Sequence, residues 1–318
     1  MNSNAVPPRL PVATPRKPPL VGLALGGGVA RGWSHIGALT RLLELGVKPD
    51  VVAGTSVGAL VGGFWLAGRL PELEVWARSM TKRRMLNYFD LVLSGSGLMG
   101  GKRLREAIRE NLGDRTIESL PGRFTAVTAE LATGHEAWLM QGSLADAIEA
   151  SYALPGVFPP RLVDGRWLID GAMVNPLPVS VCRALGARVV IAVGLHSDSF
   201  ARASVLRREK YEFAELVDKN PALIKGAVPG GGAVVRRLFR ENGPSPGLGA
   251  VLLASFNIFM DRITRSRLAG DPPDVLVTPA VGHIGLLEFD RADELIALGR
   301  EAVDAQADAI KQSMVLLA

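Results

Sequence analysis

The chain has 318 residues, 48% of them apolar, enough to bury a sizeable core in one large α/β domain. An excess of 36 basic over 31 acidic residues gives net +5, too small and too dispersed for a nucleic-acid partner but compatible with an anionic membrane surface. The single cysteine, Cys182, excludes an intrachain disulfide and a Cys-rich metal site and points to a reducing, cytoplasmic compartment.

Residues 1–19 carry Arg9, Arg16 and Lys17 among six prolines from Pro7 to Pro19, with no cleavable apolar stretch behind them. They read as a flexible Pro-rich tail, not a signal peptide. Leu20–Leu25 is a continuous apolar run of the kind found in a strand buried on both faces. Gly26-Gly27-Gly28 follows, then a predicted helix over Ala30–Leu45 in which Trp33, Ile36, Leu39, Thr40 and Leu43 recur at helical spacing and Gly46 provides the stop. A second strand over Asp50–Ala53 completes a βαβ unit, so these two strands are expected to be parallel neighbours.

That strand runs into Gly54-Thr55-Ser56-Val57-Gly58 and a helix-like stretch over Ala59–Ala67. G-x-S-x-G between strand and helix is the pattern of a nucleophile elbow. Glycines 54 and 58 let the two backbones approach, and the serine stands at a helix N-terminus, which favours developing negative charge. Further on, Pro71–Asn111 is helical and looped, interrupted by Ser94-Gly95-Ser96-Gly97 and Gly100-Gly101. Phe124–Leu131 and Glu136–Met140 form a hairpin pattern around Thr133-Gly134, and Ser143–Ser151 a short helix. Arg161–Asp170 turns at Asp164-Gly165 and ends in Asp170-Gly171-Ala172. A helix over Pro178–Leu185 and a buried strand over Arg188–Val193 come next. The alternation implies an α/β fold with a mostly parallel central sheet flanked by helices.

Residues 198–250, with Arg207-Arg208, Arg236-Arg237 and two Gly/Pro-rich joints, read as a helical insertion in one domain spanning 20–318. A helix near Leu252–Leu268, a strand over Val275–Thr278 and a last helix from Arg291 to Ser313, capped by Asp290, close the chain. Leu252, Leu253, Phe256, Phe259 and Met260 read as a core-facing stripe, with membrane approach as the other use of the same residues. The uncharged windows Val51–Gly68 and Gly243–Met260 approach the roughly 18 residues of a membrane span, but neither is apolar throughout.

A serine nucleophile needs a base and an oxyanion hole. Gly26-Gly27-Gly28, between strand and helix, offers unobstructed backbone N–H groups, with Arg31 and Gly32 close behind. Gly26, Gly28 and Gly32 are spaced one residue too long for a dinucleotide fingerprint, and no Gly-Lys-Ser/Thr follows for a P-loop. For the base, His196 lies past a strand end, His283 in a loop, His135 in a hairpin turn and His35 upstream of the serine. Asp170, on a tight turn after the apolar Trp167-Leu168-Ile169, competes with them, since desolvation there raises its proton affinity.

Taken together, Gly26 to Gly32, Gly54 to Gly58 and Asp170-Gly171-Ala172, with Leu154-Pro155-Gly156-Val157-Phe158-Pro159-Pro160 and Val174-Asn175-Pro176-Leu177-Pro178-Val179, resemble the patatin-like phospholipase family, bacterial members included. Thr264-Arg265-Ser266-Arg267-Leu268 looks like those bacterial members too. The resemblance implies a three-layer patatin-like fold and a calcium-independent serine esterase of lipid degradation that needs no metal or cofactor. Its Ser-Asp dyad would be Ser56 and Asp170. The oxyanion donors would be the Gly27 and Gly28 amides, with Gly26, Arg31 and Gly32 supporting the loop, Arg31 alternatively meeting a lipid phosphate, and Gly54 and Gly58 forming the elbow. Phospholipids, lysophospholipids or other fatty acyl esters would be substrates, met through peripheral contact with the inner membrane face. Replacement of His196 would leave the enzyme active. The alternative use of such a chain is a peripheral lipid-binding regulatory protein with vestigial esterase activity. Ala172 stands where many members have a second glycine, and Leu25 where plant relatives often have an acidic residue.

Overall fold

The computed structural model describes residues 20–88, 100–196 and 248–315. The Pro-rich tail, the Ser94–Gly97 break and residues 198–247 of the 198–250 insertion lie outside the described residues. The glycine-rich loop follows β1 (Leu20–Leu25) and enters a 3-10 turn over Val29–Trp33 that continues as α1 (Ser34–Glu44). β2 (Val51–Thr55) leads into α2 (Val57–Leu66), with only Ser56 between them. Then come α3 (Leu70–Arg78), α4 (Lys82–Tyr88) and α5 (Lys102–Leu112).

β3 (Arg123–Glu130) and β4 (Glu136–Leu139) form the expected hairpin, followed by α6 (Leu144–Ser151), whose N-cap Ser143 accepts the Asp146 N–H. β5 (Arg161–Val163) and β6 (Arg166–Asp170) join through Asp164 and Gly165, both at positive φ, as a tight hairpin turn requires. α7 (Val179–Ala184), β7 (Ala187–Val193), α8 (Leu248–Gly270), β8 (Val275–Val277), α9 (Ala292–Asp304) and α10 (Ala307–Val315) complete the described chain.

One sheet runs in the order β5-β6-β3-β2-β1-β7-β8, with β4 paired to β3. β3, β2, β1, β7 and β8 are parallel, and β4, β5 and β6 add antiparallel pairs at one end. This is a three-layer α/β fold. Leu23, Leu25, Val52 and Phe124 join one core with α1, α2, α6 and α9, while Ala24, Ala53, Val127 and Ala192 join a second with α7. The alternation follows from the period of two along each strand.

Two expectations need correction. The last helix is two, divided after Asp304, and Asp290 lies inside a 3-10 turn while Arg291 occupies the N-cap. The Arg41 guanidinium takes the Asp304 carboxylate at 2.6 Å, which ties the end of α9 to α1. α8 also does not turn Leu252 and Phe259 to the core, for they are 55% and 43% exposed. Its inward face is taken by Asn257, Met260, Asp261 and Thr264, spaced as one helical stripe. No described helix is long and apolar enough to cross a membrane.

Candidate active site

Ser56 is the one residue between β2 and α2, and it holds φ 56° and ψ −123°, a conformation that costs a non-glycine residue about 1–3 kcal/mol. Its carbonyl accepts the Ala59 and Leu60 N–H groups, so the helix begins at once. The approach demands glycine at 58, where a Cβ would stand 2.2 Å from the Leu25 carbonyl oxygen. The Ser56 N–H donates to Ser151 Oγ at 2.9 Å, and that hydroxyl donates to the Val127 carbonyl at 2.7 Å. Ser151, the last residue of α6, thus ties the elbow to β3. Sequence reasoning missed it, because a serine at a helix end carries no motif.

The Ser56 hydroxyl donates to Asp170 Oδ2 at 2.7 Å. Asp170 Oδ1 accepts the Ala172 N–H at 2.8 Å, which fixes the carboxylate. Burial pushes its pKa up to about 7, against the opposing hydrogen bonds from Ala172 and Ser56. A carboxylate of that proton affinity, bonded to a serine hydroxyl, is suited to accept its proton near neutral pH.

The glycine loop lies alongside. A Cβ on Gly27 would be 3.5 Å from the Ser56 Cβ and 3.3 Å from the Ala172 Cβ. The Gly26 N–H donates to Val193 O and the Gly27 N–H to Pro176 O at 2.9 Å. The Gly27 amide is therefore committed to the strand-like pairing of the loop and does not serve Ser56, contrary to expectation. The Ala30 and Arg31 N–H groups are bonded to the Leu286 and Gly28 carbonyls. That leaves the Gly28 and Val29 amides without a backbone acceptor among the described residues, and Val29, at φ 53°, lines the same cavity as Ser56.

Arg31 is buried, and its Nε donates to the Ile284 carbonyl at 2.7 Å. It steadies the loop from behind and is not turned to a lipid phosphate. Gly32 packs against Val57, where a Cβ would fall 2.2 Å from the valine methyls, locking loop to elbow.

None of the histidines is bonded to Ser56. His35 Nε2 is 2.7 Å from the Gly26 carbonyl, and because a carbonyl only accepts, Nε2 carries the proton. Burial lowers its pKa to about 4. His196 is equally buried, beside the Gly27 backbone and the Asn257 side chain. Burial and the nearby Arg31 charge bring it to about 4. Both rings are thus neutral, and His35 holds the Gly26 carbonyl of the loop. His135 is exposed in its hairpin, and His283 pairs with Glu294 at 2.7 Å.

Ser56 and Asp170 open onto a cavity of about 660 Å³. Its walls are Trp33, Trp76 and Phe289, stacked edge to face at 5.9 Å, with Phe158, Met80 and Leu104 among others. Asp170 is the one charged residue among the described residues that line it.

A strand-to-helix serine bonded to a buried aspartate, at the C-terminal edge of a mostly parallel sheet and over an apolar cavity, defines an α/β protein built like a serine esterase. Residues 23–183 match the family model described as patatin-like phospholipase. The chain is 34% identical over 330 aligned residues, covering 89% of each chain, to an uncharacterized NTE family protein of Mycobacterium tuberculosis. It is 35% identical over 184 residues to the neuropathy target esterase of Drosophila melanogaster and to human patatin-like phospholipase domain-containing protein 6. In each case 56% of this chain and 13% of the relative are covered. The chain belongs to the patatin-like phospholipase family, whose members act on lipids.

Proposed function

We propose that the protein is a lipid acyl hydrolase, of phospholipase or lysophospholipase type, in which Ser56 is the nucleophile and Asp170 its base. The observation that carries this reading is the 2.7 Å hydrogen bond from the Ser56 hydroxyl to Asp170 at the wall of an apolar cavity. As Ser56 Oγ bonds to the ester carbonyl carbon, its proton passes to Asp170, and the Gly28 and Val29 amides hold the oxyanion. Collapse breaks the ester bond, and the departing alcohol takes the proton from Asp170. Water then attacks the acyl-serine, giving a proton to Asp170 that returns to Ser56 as the fatty acid leaves.

Cavity size and lining support an acyl chain as the recognised part. About 660 Å³ falls within the range of small-molecule pockets, roughly 300–1,000 Å³. With no Lys or Arg among the described lining residues, a phosphate headgroup has no cation to meet inside and stays at the mouth.

The test is to label the protein with a fluorophosphonate, locate the modified residue by mass spectrometry and assay a chain-length series of acyl esters. Modification of Ser56, hydrolysis that improves with chain length, and loss of both in Ser56→Ala are expected. An unlabelled protein that binds lipid without cleaving it would leave only the lipid-binding alternative.

A further inference from the structure

α8 is amphipathic in the inverted sense. Its inward stripe holds Asn257, Asp261 and Thr264, all buried. Val251, Leu252, Ile258 and Phe259, on the opposite side, are 41%, 55%, 56% and 43% exposed. At 100° per residue these four fall within one arc, and exposed Arg262 lies one turn beyond Ile258 in it.

Contacts to other elements fix this orientation. The buried Asn257 side chain lies beside the buried His196 ring, while Asp261–Arg265 and Thr264–Met260 are contacts within α8 itself. At the far end, the Arg267 guanidinium donates to the Val174 carbonyl at 2.9 Å and to Glu136 at 3.1 Å. Rolling α8 to bury its aliphatic face would break the Arg267 bonds to Val174 and Glu136. An apolar face held outward in this way marks a contact surface.

Its position says with what. Leu252 and Phe259 belong both to the exposed arc and to the cavity wall, so the outward apolar surface runs without interruption into the cavity that holds Ser56 and Asp170. We infer that the outer face of α8 docks on a lipid surface carrying anionic headgroups, so that an acyl chain passes from that surface into the cavity along Leu252 and Phe259. The inference rests on the lipid-hydrolase reading. A lipid surface suits this arc better than a protein partner, because the cavity mouth has to meet the phase in which its substrate is dissolved. Arg262 supplies the charge that favours anionic lipid, and the exposed aliphatics supply the apolar insertion.

The test uses the whole chain and two vesicle types, phosphatidylcholine alone and phosphatidylcholine mixed with phosphatidylglycerol. Val251 and Ile258 are exposed and do not line the cavity, so Val251→Gln with Ile258→Gln alters the face without touching the site. Flotation should show binding to mixed vesicles that this double variant weakens by roughly tenfold or more. Hydrolysis of vesicle lipid should fall in parallel, while hydrolysis of a soluble short-chain ester stays at the parent level. Arg262→Gln should reduce the preference for mixed vesicles and its salt sensitivity. A parent protein that fails to float, or a double variant that floats as well as the parent, overturns the docking surface. So does a parent dimer that the double variant dissociates, since the face would then belong to a second copy. Failure of the parent to cleave even the soluble ester would sink the hydrolase reading itself, which separates the two outcomes.

Discussion

Ser56 and Asp170 lie end to end along one edge of β3, for Thr55 pairs with Val127 and Asp170 pairs with the next residue, Thr128. β4 occupies the other edge over Ala126–Ala129, so the edge that β2 leaves at its turn is taken up at once by β6 running the opposite way. Parallel and antiparallel pairing thus meet at one point. The two side chains converge there although 114 residues separate them.

The pH profile follows from the burial of that pair. Asp170 must be ionised to accept the serine proton, and burial raises its pKa to about 7. We expect kcat/KM for a neutral ester to fall about tenfold per pH unit below an apparent pKa near 7 and to be level above it. Titrimetric assay of released fatty acid across that range checks this. An inflection near 4, the region of a normal carboxylate, would remove the desolvated-base assignment.

The same shift makes Asp170 a cost to the fold. Its folded-state pKa of about 7 lies above the ordinary 3.8, so the folded protein holds a proton that the unfolded chain releases between those values. Stability contributed by the protonated form is complete below about 3.8 and is lost as pH rises through 7. Asp170→Asn keeps an acceptor for the Ala172 N–H and a polar partner for Ser56. We expect it to be inactive yet more stable than the parent at pH 8, by on the order of 2–4 kcal/mol, with the gap closing below pH 4. Denaturant melts at both pH values measure it, and a less stable variant at pH 8 would contradict it.

How much of this was legible beforehand depends on the range of the interaction. β1, the glycine loop, α1, β2 and α2 are local in sequence, and their apolar runs and glycines announce a strand-turn-helix directly. Asp170 was readable only by resemblance, since Asp-Gly marks ordinary turns. Ser151, and the capture of the Gly27 N–H by Pro176, were not readable at all. Both depend on hydrogen bonds between elements far apart in the chain. The inversion of α8 was missed because an apolar stripe carries the same period whether it faces core or solvent. What decides is distant in sequence, for Arg267 ties α8 to Val174 and Glu136 with Asn257, Asp261 and Thr264 turned inward.

Ser151→Ala tests one of those unreadable contacts. The substitution leaves the Ser56 N–H and the Val127 carbonyl without their shared hydroxyl in a buried setting. Each orphaned group costs about 1–3 kcal/mol, and the strained φ of Ser56 loses a restraint. We expect a lower Tm and a kcat reduced roughly tenfold, given what small misplacements of a nucleophile do to rate. Ser151→Thr, which retains the hydroxyl, should recover most of the stability if its methyl is accommodated.

His196 offers the sharper contrast between a base and a positioning residue. In a trans peptide the C=O and the following N–H point in opposite directions. His35 holds the Gly26 carbonyl, which turns the Gly27 N–H the other way, to Pro176. The buried His196 ring lies beside the next peptide, Gly27–Gly28, whose N–H belongs to Gly28. Loss of the His196 ring should let the Gly27–Gly28 peptide rotate and weaken oxyanion binding. His196→Ala is then expected to lower kcat by roughly 10- to 100-fold, short of losing a donor outright, with KM little changed and Ser56 still labelled by a fluorophosphonate. His196→Asn, which fills part of the space beside the Gly27–Gly28 peptide with a polar group, should recover part of the rate, and the inflection near pH 7 should persist in both variants. A variant whose pH profile loses that inflection, or an asparagine substitution no better than alanine, would mean that His196 acts on the proton and not on the loop.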